Sequence, residues 1–371
     1  MNSNCVSSRR GQIWPPKSGG GNLNHDRINR GYFRVLVLFI LVTLAACFMF
    51  SNNLSEKCFQ FLPSSFYNIS FSRSDNSNVY AGKANDENSL GSILKKASMK
   101  DKKTVIITTL NAAWTEPNSI FDLFLESFRI GNQTESLLKH VVVVALDQKA
   151  YSRCLEVHLH CYALTIAGLD HSSGQAHFMS KDYLKMMWRR IDFLRTVLEL
   201  GYDFVFTDAD VTWLRNPFPR FYPDGDFQIS CDRYRYNSTY LNNSPNGGFN
   251  YVKANNRTVQ FYKFWYTGRD YFPGKHDQDV LDMIKFNPFI KEIGLKMRFL
   301  DTAYFGGFCQ PSKDLDLVIT MHANCCSRLE SKIHDIKMVI EDWKKYMALP
   351  LRDERNLSPR TWTLKRICSY G

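Results

Sequence analysis

The chain has 371 residues, with 47 Lys and Arg against 36 Asp and Glu for a formal charge of +11, and it is 44% hydrophobic and 14% aromatic. That apolar content excludes a wholly disordered chain, and the length suits one α/β enzyme domain behind a non-globular leader. Much of the basic excess lies in the leader, where Arg9, Arg10, Lys17, Arg27, Arg30, Arg34 and Lys57 outnumber Asp26 and Glu56, so no nucleic-acid partner is expected.

Residues 1–32 read as a cytosolic tail and residues 33–50 as a transmembrane signal anchor. The run Val35 to Phe50 is interrupted only by Thr43, and with Tyr32 and Phe33 it gives a helix of roughly 27 Å, close to the thickness of an early-secretory bilayer. The basic flank before it keeps the N-terminus cytosolic, which makes a single-pass, type II, membrane-anchored protein with a lumenal remainder. The alternative is a signal peptide cleaved near Ala45 and Ala46. Residues 51–102, rich in Ser, Asn and Lys, suit a flexible stem. Sequons stand at Asn53, Asn68, Asn132, Asn237, Asn242, Asn256 and Asn356, all after the apolar run. Cys58, Cys154, Cys161, Cys231, Cys309, Cys325, Cys326 and Cys368 form an even lumenal set whose disulfide pairing cannot be deduced. No paired CxxC spacing favours zinc instead.

A catalytic domain is expected over residues 103–349, with a tail at 350–371. Short apolar runs alternate there with amphipathic stretches, the pattern of a largely parallel sheet covered by helices. Strands are expected at Val105–Thr109, Val141–Leu146, Tyr162–Ile166, Phe204–Thr207, Phe227–Cys231, Phe249–Lys253 and Met297–Leu300. A helix after Pro117 carries Phe121, Phe124, Leu125 and Phe128 and ends at Gly131. The best-marked helix runs from Ser180, its N-cap, to Leu200, with Leu184, Met187, Ile191, Leu194 and Leu198 on one stripe and Gly201 past its end. Ligands of such sheets bind beyond the carboxyl ends of strands.

That rule singles out Asp208-Ala-Asp210 among several Asp-x-Asp triplets, the others being Asp224/Asp226, Asp277/Asp279 and Asp314/Asp316. Only this pair directly follows an apolar strand, so two carboxylates can leave the sheet together and hold a hard cation that bridges two phosphates. Asp208 to Thr212 also matches the Asp-x-Asp-x-Thr of haloacid dehalogenase-type phosphatases. That family starts its domain with the motif, however, and its later acidic arrangements are missing here. Solvated acids in a turn are the bland alternative. Asn246-Gly247-Gly248 offers an amide and unobstructed backbone for sugar hydroxyls, against an ordinary turn. Thr109 and Asn111 follow the first strand at its carboxyl end and, should the ligand be a nucleotide, are candidates for its base or ribose.

The segments Phe206-Thr207-Asp208-Ala209-Asp210, Asn246-Gly247-Gly248-Phe249, His276-Asp277-Gln278-Asp279-Val280 and Met321-His322-Ala323-Asn324-Cys325-Cys326, in that order, resemble the plant nucleotide-diphospho-sugar transferases. That family includes rhamnogalacturonan xylosyltransferases and extensin arabinosyltransferases. The resemblance, over roughly Lys103 to Trp343, implies a GT-A type α/β fold and a retaining, Golgi-resident glycosyltransferase with a Mn2+ site. Its donor would be a nucleotide sugar, UDP-linked, and its acceptor a cell-wall polysaccharide or glycoprotein glycan. It implies that Asp208, Asp210 and His322, the last following a strand-like Leu317–Thr320, hold the metal, an N,O donor set suited to manganese. Lys185, on the long helix, would face the donor sugar or diphosphate, with Arg189 and Arg190 as competing cations and Arg328 as a weaker second one. Relatives carry Gly and Lys near Cys325 and Arg328, so this chain departs from the pattern there. Gln278 would stand at the face of the sugar opposite the leaving group, and Asp277 would bind a sugar hydroxyl. A carbohydrate-binding pseudoenzyme is the rival from another class, and the intact ligand set speaks against it.

Overall fold

The computed structural model describes residues 89–100, 102–164, 179–349, 360–363 and 367–368. The expected tail, anchor and most of the stem lie outside the described residues, and so do the sequons at Asn53, Asn68 and Asn356. Among the described residues no helix is long and apolar enough to cross a membrane.

The described chain begins with α1 (Leu90–Ala97), β1 (Thr104–Leu110), α2 (Ile120–Ile130), β2 (Val141–Ala145), α3 (Gln148–Val157) and β3 (Cys161–Ala163). β1 and β2 are almost wholly buried runs of β-branched residues, TVIITTL and VVVVA, the signature of strands covered on both faces. The expected continuation of β3 to Ile166 lies outside the described residues. α4 (Lys181–Glu199) follows, its N-cap Ser180 accepting from Tyr183 N at 3.2 Å, and Gly201 beyond it has φ +80°, which glycine adopts without steric cost.

The second half contains β4 (Asp203–Thr207), β5 (Val211–Trp213), β6 (Phe227–Arg233), β7 (Ser244–Val252), α5 (Asn256–Tyr271), α6 (Asp277–Ile284), α7 (Pro288–Glu292), β8 (Met297–Phe299), β9 (Phe305–Gly307), β10 (Thr320–His322) and α8 (Leu329–Met347). Seven strands make one sheet in the order β3-β2-β1-β4-β7-β6-β8, and β5, β10 and β9 make a second, smaller one. β3, β2, β1 and β4 are mutually parallel. The sheet is mixed rather than largely parallel, because β7 runs antiparallel to both β4 and β6. Helices flank it, as the GT-A type expectation requires.

Two features of this topology position the site. The chain winds outward from β1 to β3 and returns to β4 on the other side of β1, so a switch point, where open sheets bind ligands, falls between the carboxyl ends of β1 and β4. The β6–β7 pairing is also broken. Ile229 faces Asn250 but Ser230 faces Asn246, which leaves Gly247, Gly248 and Phe249 bowed away from β6 while β7 still pairs with β4. Further along, Cys231 faces Pro245 and Arg233 faces Ser244, so Asp232 is the extra residue of a bulge. Bulges beside sites re-aim side chains.

The core around β5 and β7 is aromatic. Trp213 stacks on Phe128 at 4.5 Å, and Phe221 stacks on Tyr251 at 4.6 Å. Among the described residues three disulfides form, Cys154–Cys161, Cys309–Cys325 and Cys326–Cys368, and Cys231 is free and buried.

Candidate active site

Asp208 and Asp210 leave the end of β4, as their place after an apolar strand predicts. Asp208 N donates to Gly248 O at 2.7 Å, which fastens the bowed part of β7 alongside. The smaller sheet supplies the third member. β10 pairs with β5 so that His322 faces Val211, and Ala323 N donates to Asp210 O at 3.0 Å. His322 lies on the strand itself rather than after a strand at Leu317–Thr320. Ligand atoms of Asp208, Asp210 and His322 fall within 4.8 Å of one another.

The donor set fits a divalent metal. Asp210 Oδ1 is buried, lies 3.1 Å from His322 Nε2 and has no hydrogen-bond partner, an arrangement in which lone pairs converge on one point. Gly248 forms a cradle, since a Cβ there would collide with His322 Cε1 and come within 2.6 Å of Asp208 Oδ2. Burial pushes the Asp208 carboxyl up, Arg190 opposing and Asp210 adding to it. Burial would raise Asp210 as well, but Lys332 and His322 outweigh it and hold this carboxyl below the usual range. His322 is raised despite its burial because Asp210 faces it, so a proton and a metal compete for the same imidazole nitrogen.

Alternating charges run through the site. Arg190 donates to Asp208 Oδ1 at 3.1 Å and to Asp277 Oδ2 at 2.6 Å, with its side chain 7% exposed and its guanidinium 4.8 Å over the Phe206 ring. Buried between two carboxylates it stays charged, their attraction outweighing desolvation. At the other end Lys332, from the first turn of α8, places Nζ 2.5 Å from Asp210 Oδ2 and 5.3 Å from the Trp114 ring centroid. Nothing in the sequence marks Lys332, and Arg190 stands there only as a competitor of Lys185. Lys185, the favoured candidate, lies on the exposed face of α4 and pairs with Asp182 at 3.5 Å. The cation that α4 brings to the carboxylates is Arg190, five residues on and roughly 140° around the helix.

Across Gly247 lies a second group. Asp277 is the first residue of α6, buried, with His276 rather than Asp277 as the N-cap. Arg190 holds the Asp277 carboxyl low against the effect of burial. Gln278 Oε1 accepts from Gly247 N at 2.9 Å, and Gln278 Nε2 donates to Asp232 Oδ2 at 2.9 Å. Asn246 Oδ1 accepts from Gly248 N at 2.9 Å. Thus Asp208, Asp210, His322, Asn246, Gly247, Asp277 and Gln278 are brought together. Thr109 and Asn111 stand at the carboxyl end of β1, on the other side of the switch point, and Asn111 Oδ1 is buried without a partner. Arg328 is exposed at the N-cap of α8 and makes no ion pair among the described residues.

A family model described as nucleotide-diphospho-sugar transferase matches residues 136–336. The uncharacterized protein At4g15970 of Arabidopsis thaliana is 54% identical over 287 residues, 75% of this chain and 76% of that protein. From the same plant, beta-arabinofuranosyltransferase RAY1 is 28% identical over 121 residues, 32% of this chain and 22% of its own length. UDP-D-xylose:L-fucose alpha-1,3-D-xylosyltransferase 3 is 26% identical over 186 residues, 50% of this chain and 42% of its own length. The phosphatase alternative is thereby set aside. The chain belongs to the nucleotide-diphospho-sugar transferase family and is a glycosyltransferase.

Proposed function

We propose that this glycosyltransferase moves a sugar from a UDP-linked donor to a cell-wall polysaccharide or glycoprotein glycan, with retention at the anomeric carbon and with Mn2+ at Asp208, Asp210 and His322. The observation that carries the reading is the Asp–Asp–His cluster set against Arg190, Asp277 and Gln278 across Gly247 and Gly248. The UDP-D-xylose dependence in one relative's name supports the nucleotide. Bound at the cluster, the metal would neutralise charge on the departing diphosphate.

The residues divide the remaining work. Arg190 fixes Asp208 and Asp277 in one geometry and keeps a positive charge facing the donor. Asp277, its side chain 2% exposed, serves through Arg190 more than by gripping a hydroxyl directly. Gln278 presents its amide carbonyl, held by Gly247 N–H, to the developing oxocarbenium charge. Asn246 and the backbone at Gly247 line the sugar side, and Thr109 and Asn111 take the nucleoside.

A type II Golgi protein with a lumenal catalytic domain fits the rest. The described sequon residues Asn132, Asn237, Asn242 and Asn256 are all exposed, and three disulfides suit an oxidising compartment.

The test is a donor screen of the purified protein that reads hydrolysis of each nucleotide sugar with Mn2+ present. One UDP-sugar should be hydrolysed, with retention by NMR, and the activity should vanish on chelation and in Asp210→Asn. Turnover indifferent to chelation and to that substitution would overturn the metal assignment. Failure to turn over any UDP-sugar would overturn the donor.

A further inference from the structure

Asp232 is the hub of a network that nothing in the sequence reading marked. Its Oδ1 accepts from Asn246 Nδ2 at 2.9 Å and from Asn324 Nδ2 at 2.7 Å, and its Oδ2 accepts from Gln278 Nε2 at 2.9 Å. The three amides come from β7, from the loop after β10 and from α6, elements far apart in the chain. A carboxylate can only accept, so all three amides must turn their NH2 groups inward. Their carbonyl oxygens are then forced outward, and each meets a backbone N–H. Asn246 Oδ1 takes Gly248 N, Asn324 Oδ1 takes Cys309 N at 3.1 Å, and Gln278 Oε1 takes Gly247 N. Donor and acceptor sense is consistent all round the ring.

The position is built for this. Asp232 is the extra residue of the β6 bulge, which turns its side chain away from the ladder, and the opening it faces is the one left by the bowed Gly247–Phe249. An amide of the wrong sense at Gln278 would set its NH2 against the Gly247 N–H and point a donor where the sugar's positive charge develops.

We propose that Asp232 is a positioning residue for the transfer reaction: it fixes which end of the Gln278 amide faces the donor sugar and locks Asn246 and Asn324 beside it. The proposal rests on the reading of Gln278 given above.

The logic can be inverted by a swap. Asp232→Asn places a donor against Gln278 Nε2. Gln278→Glu places a carboxylate against Asp232. The double variant Asp232→Asn/Gln278→Glu restores every pairing, because the new amide on β6 would donate to the new carboxylate on α6, whose other oxygen still accepts from Gly247 N. Each single variant should therefore melt lower than wild type, and the double variant should recover most of the loss, a coupling visible only for groups in contact. In Asp232→Asn, kcat for hydrolysis of the UDP-sugar found in the screen should fall by about 100-fold, as for a misplaced catalytic group. The Kd for UDP with Mn2+ should change less than about twofold, within the scatter expected of an untouched contact. If Asp232→Asn alone fails to fold, recovery of the fold in the double variant carries the test.

A double variant no more stable than the two losses predict, or Asp232→Asn with full kcat, overturns the proposal. A loss of UDP affinity as large as the loss of kcat does the same, since it would make Asp232 a general support of the pocket. If the wild type binds Mn2+ and UDP but hydrolyses no UDP-sugar, the functional reading fails and takes the positioning role of Asp232 with it, whatever the melting cycle shows.

Discussion

Gly247 and Gly248 are neighbours on one strand, yet a methyl group should affect them oppositely. Neither has positive φ, so alanine is permitted by the backbone at both and only the surroundings decide. At Gly248 a Cβ would collide with His322 Cε1 and lie 2.6 Å from Asp208 Oδ2 and 3.1 Å from Asn246 Oδ1. Two of these belong to the Asp–Asp–His cluster and the third to Asn246, assigned above to the sugar side. None can retreat, since His322 is held in β10 and Asp208 between Gly248 and Arg190. Overpacking of this kind costs about 1–3 kcal/mol, and forcing the ligand set apart should weaken metal affinity about 10- to 100-fold, as disturbed supporting shells do. At Gly247 the nearest atoms are Arg190 Nη2 at 3.6 Å, Asp277 Oδ2 at 3.7 Å and Gln278 Oε1 at 3.8 Å, ordinary contacts. Gly247→Ala should melt at or slightly above the wild-type temperature, because alanine restricts the unfolded chain by about 0.4–1 kcal/mol. It should bind UDP with Mn2+ normally but turn over donor slowly, since its methyl group fills space between Arg190, Asp277 and Gln278. The assay is calorimetric titration of UDP with and without Mn2+ on both variants, beside their melting curves. Normal metal-dependent binding by Gly248→Ala, or an equal loss in Gly247→Ala, would refute the placement of the cluster.

Lys332→Met removes the ammonium from Asp210, whose side chain is 1% exposed, and should destabilise the metal-free protein by about 3 kcal/mol, the lower end for breaking a buried pair. Added Mn2+ should raise the melting temperature of this variant more than that of wild type, and an unchanged melting temperature without metal would contradict the pairing. His158 is desolvated by burial, which outweighs the opposing effect of its Nε2 contact with Val141 O at 2.7 Å, so its folded pKa lies below the ordinary 6.5. The unfolded chain then binds more protons in that window, and the contribution is fully present above pH 6.5 and lost as pH falls toward the folded value. Stability should decline as pH falls below 6.5, and less steeply in His158→Gln. Parallel acid limbs for the two proteins would contradict the assignment.

Most of the larger sheet was legible because β1, β2, β4, β6 and β7 are longer strands. TVIITTL and VVVVA identify themselves, and Phe204–Thr207 differs from the observed β4 by one residue. β5 and β9 were missed and β10 was anticipated too early; each has three residues, too few for any periodicity to register, and β3 and β8, just as short, were expected only as parts of the longer runs Tyr162–Ile166 and Met297–Leu300. The antiparallel course of β7 was equally hidden, since an apolar run looks the same in either direction. Disulfide pairing depends on which loops meet, and Cys325 and Cys326, adjacent in sequence, go to Cys309 and Cys368.

The site shows the same division between what is local and what depends on packing. Asp208 and Asp210 declare themselves by following a strand, and the Asp277-Gln278 pair by its resemblance to a family. Arg190 and Lys185 sit on the same helix, and choosing between them needs the phase of that helix against a pocket whose other walls lie far along the chain. A local signal did exist. Met186, Arg190, Phe193 and Val197 are spaced four, three and four apart, all buried, so Arg190 lies inside an apolar stripe where an unpaired charge would be prohibitive. A cation there requires a carboxylate brought from another element, and the site carboxylates Asp208 and Asp277 are those partners. Asp232 had no comparable signal. It follows the alternating stretch Phe227 to Cys231 as many solvated acids do, and only the bulge that makes it the extra residue turns it toward three amides. A bulge is a mismatch between two strands, so neither strand's sequence contains it.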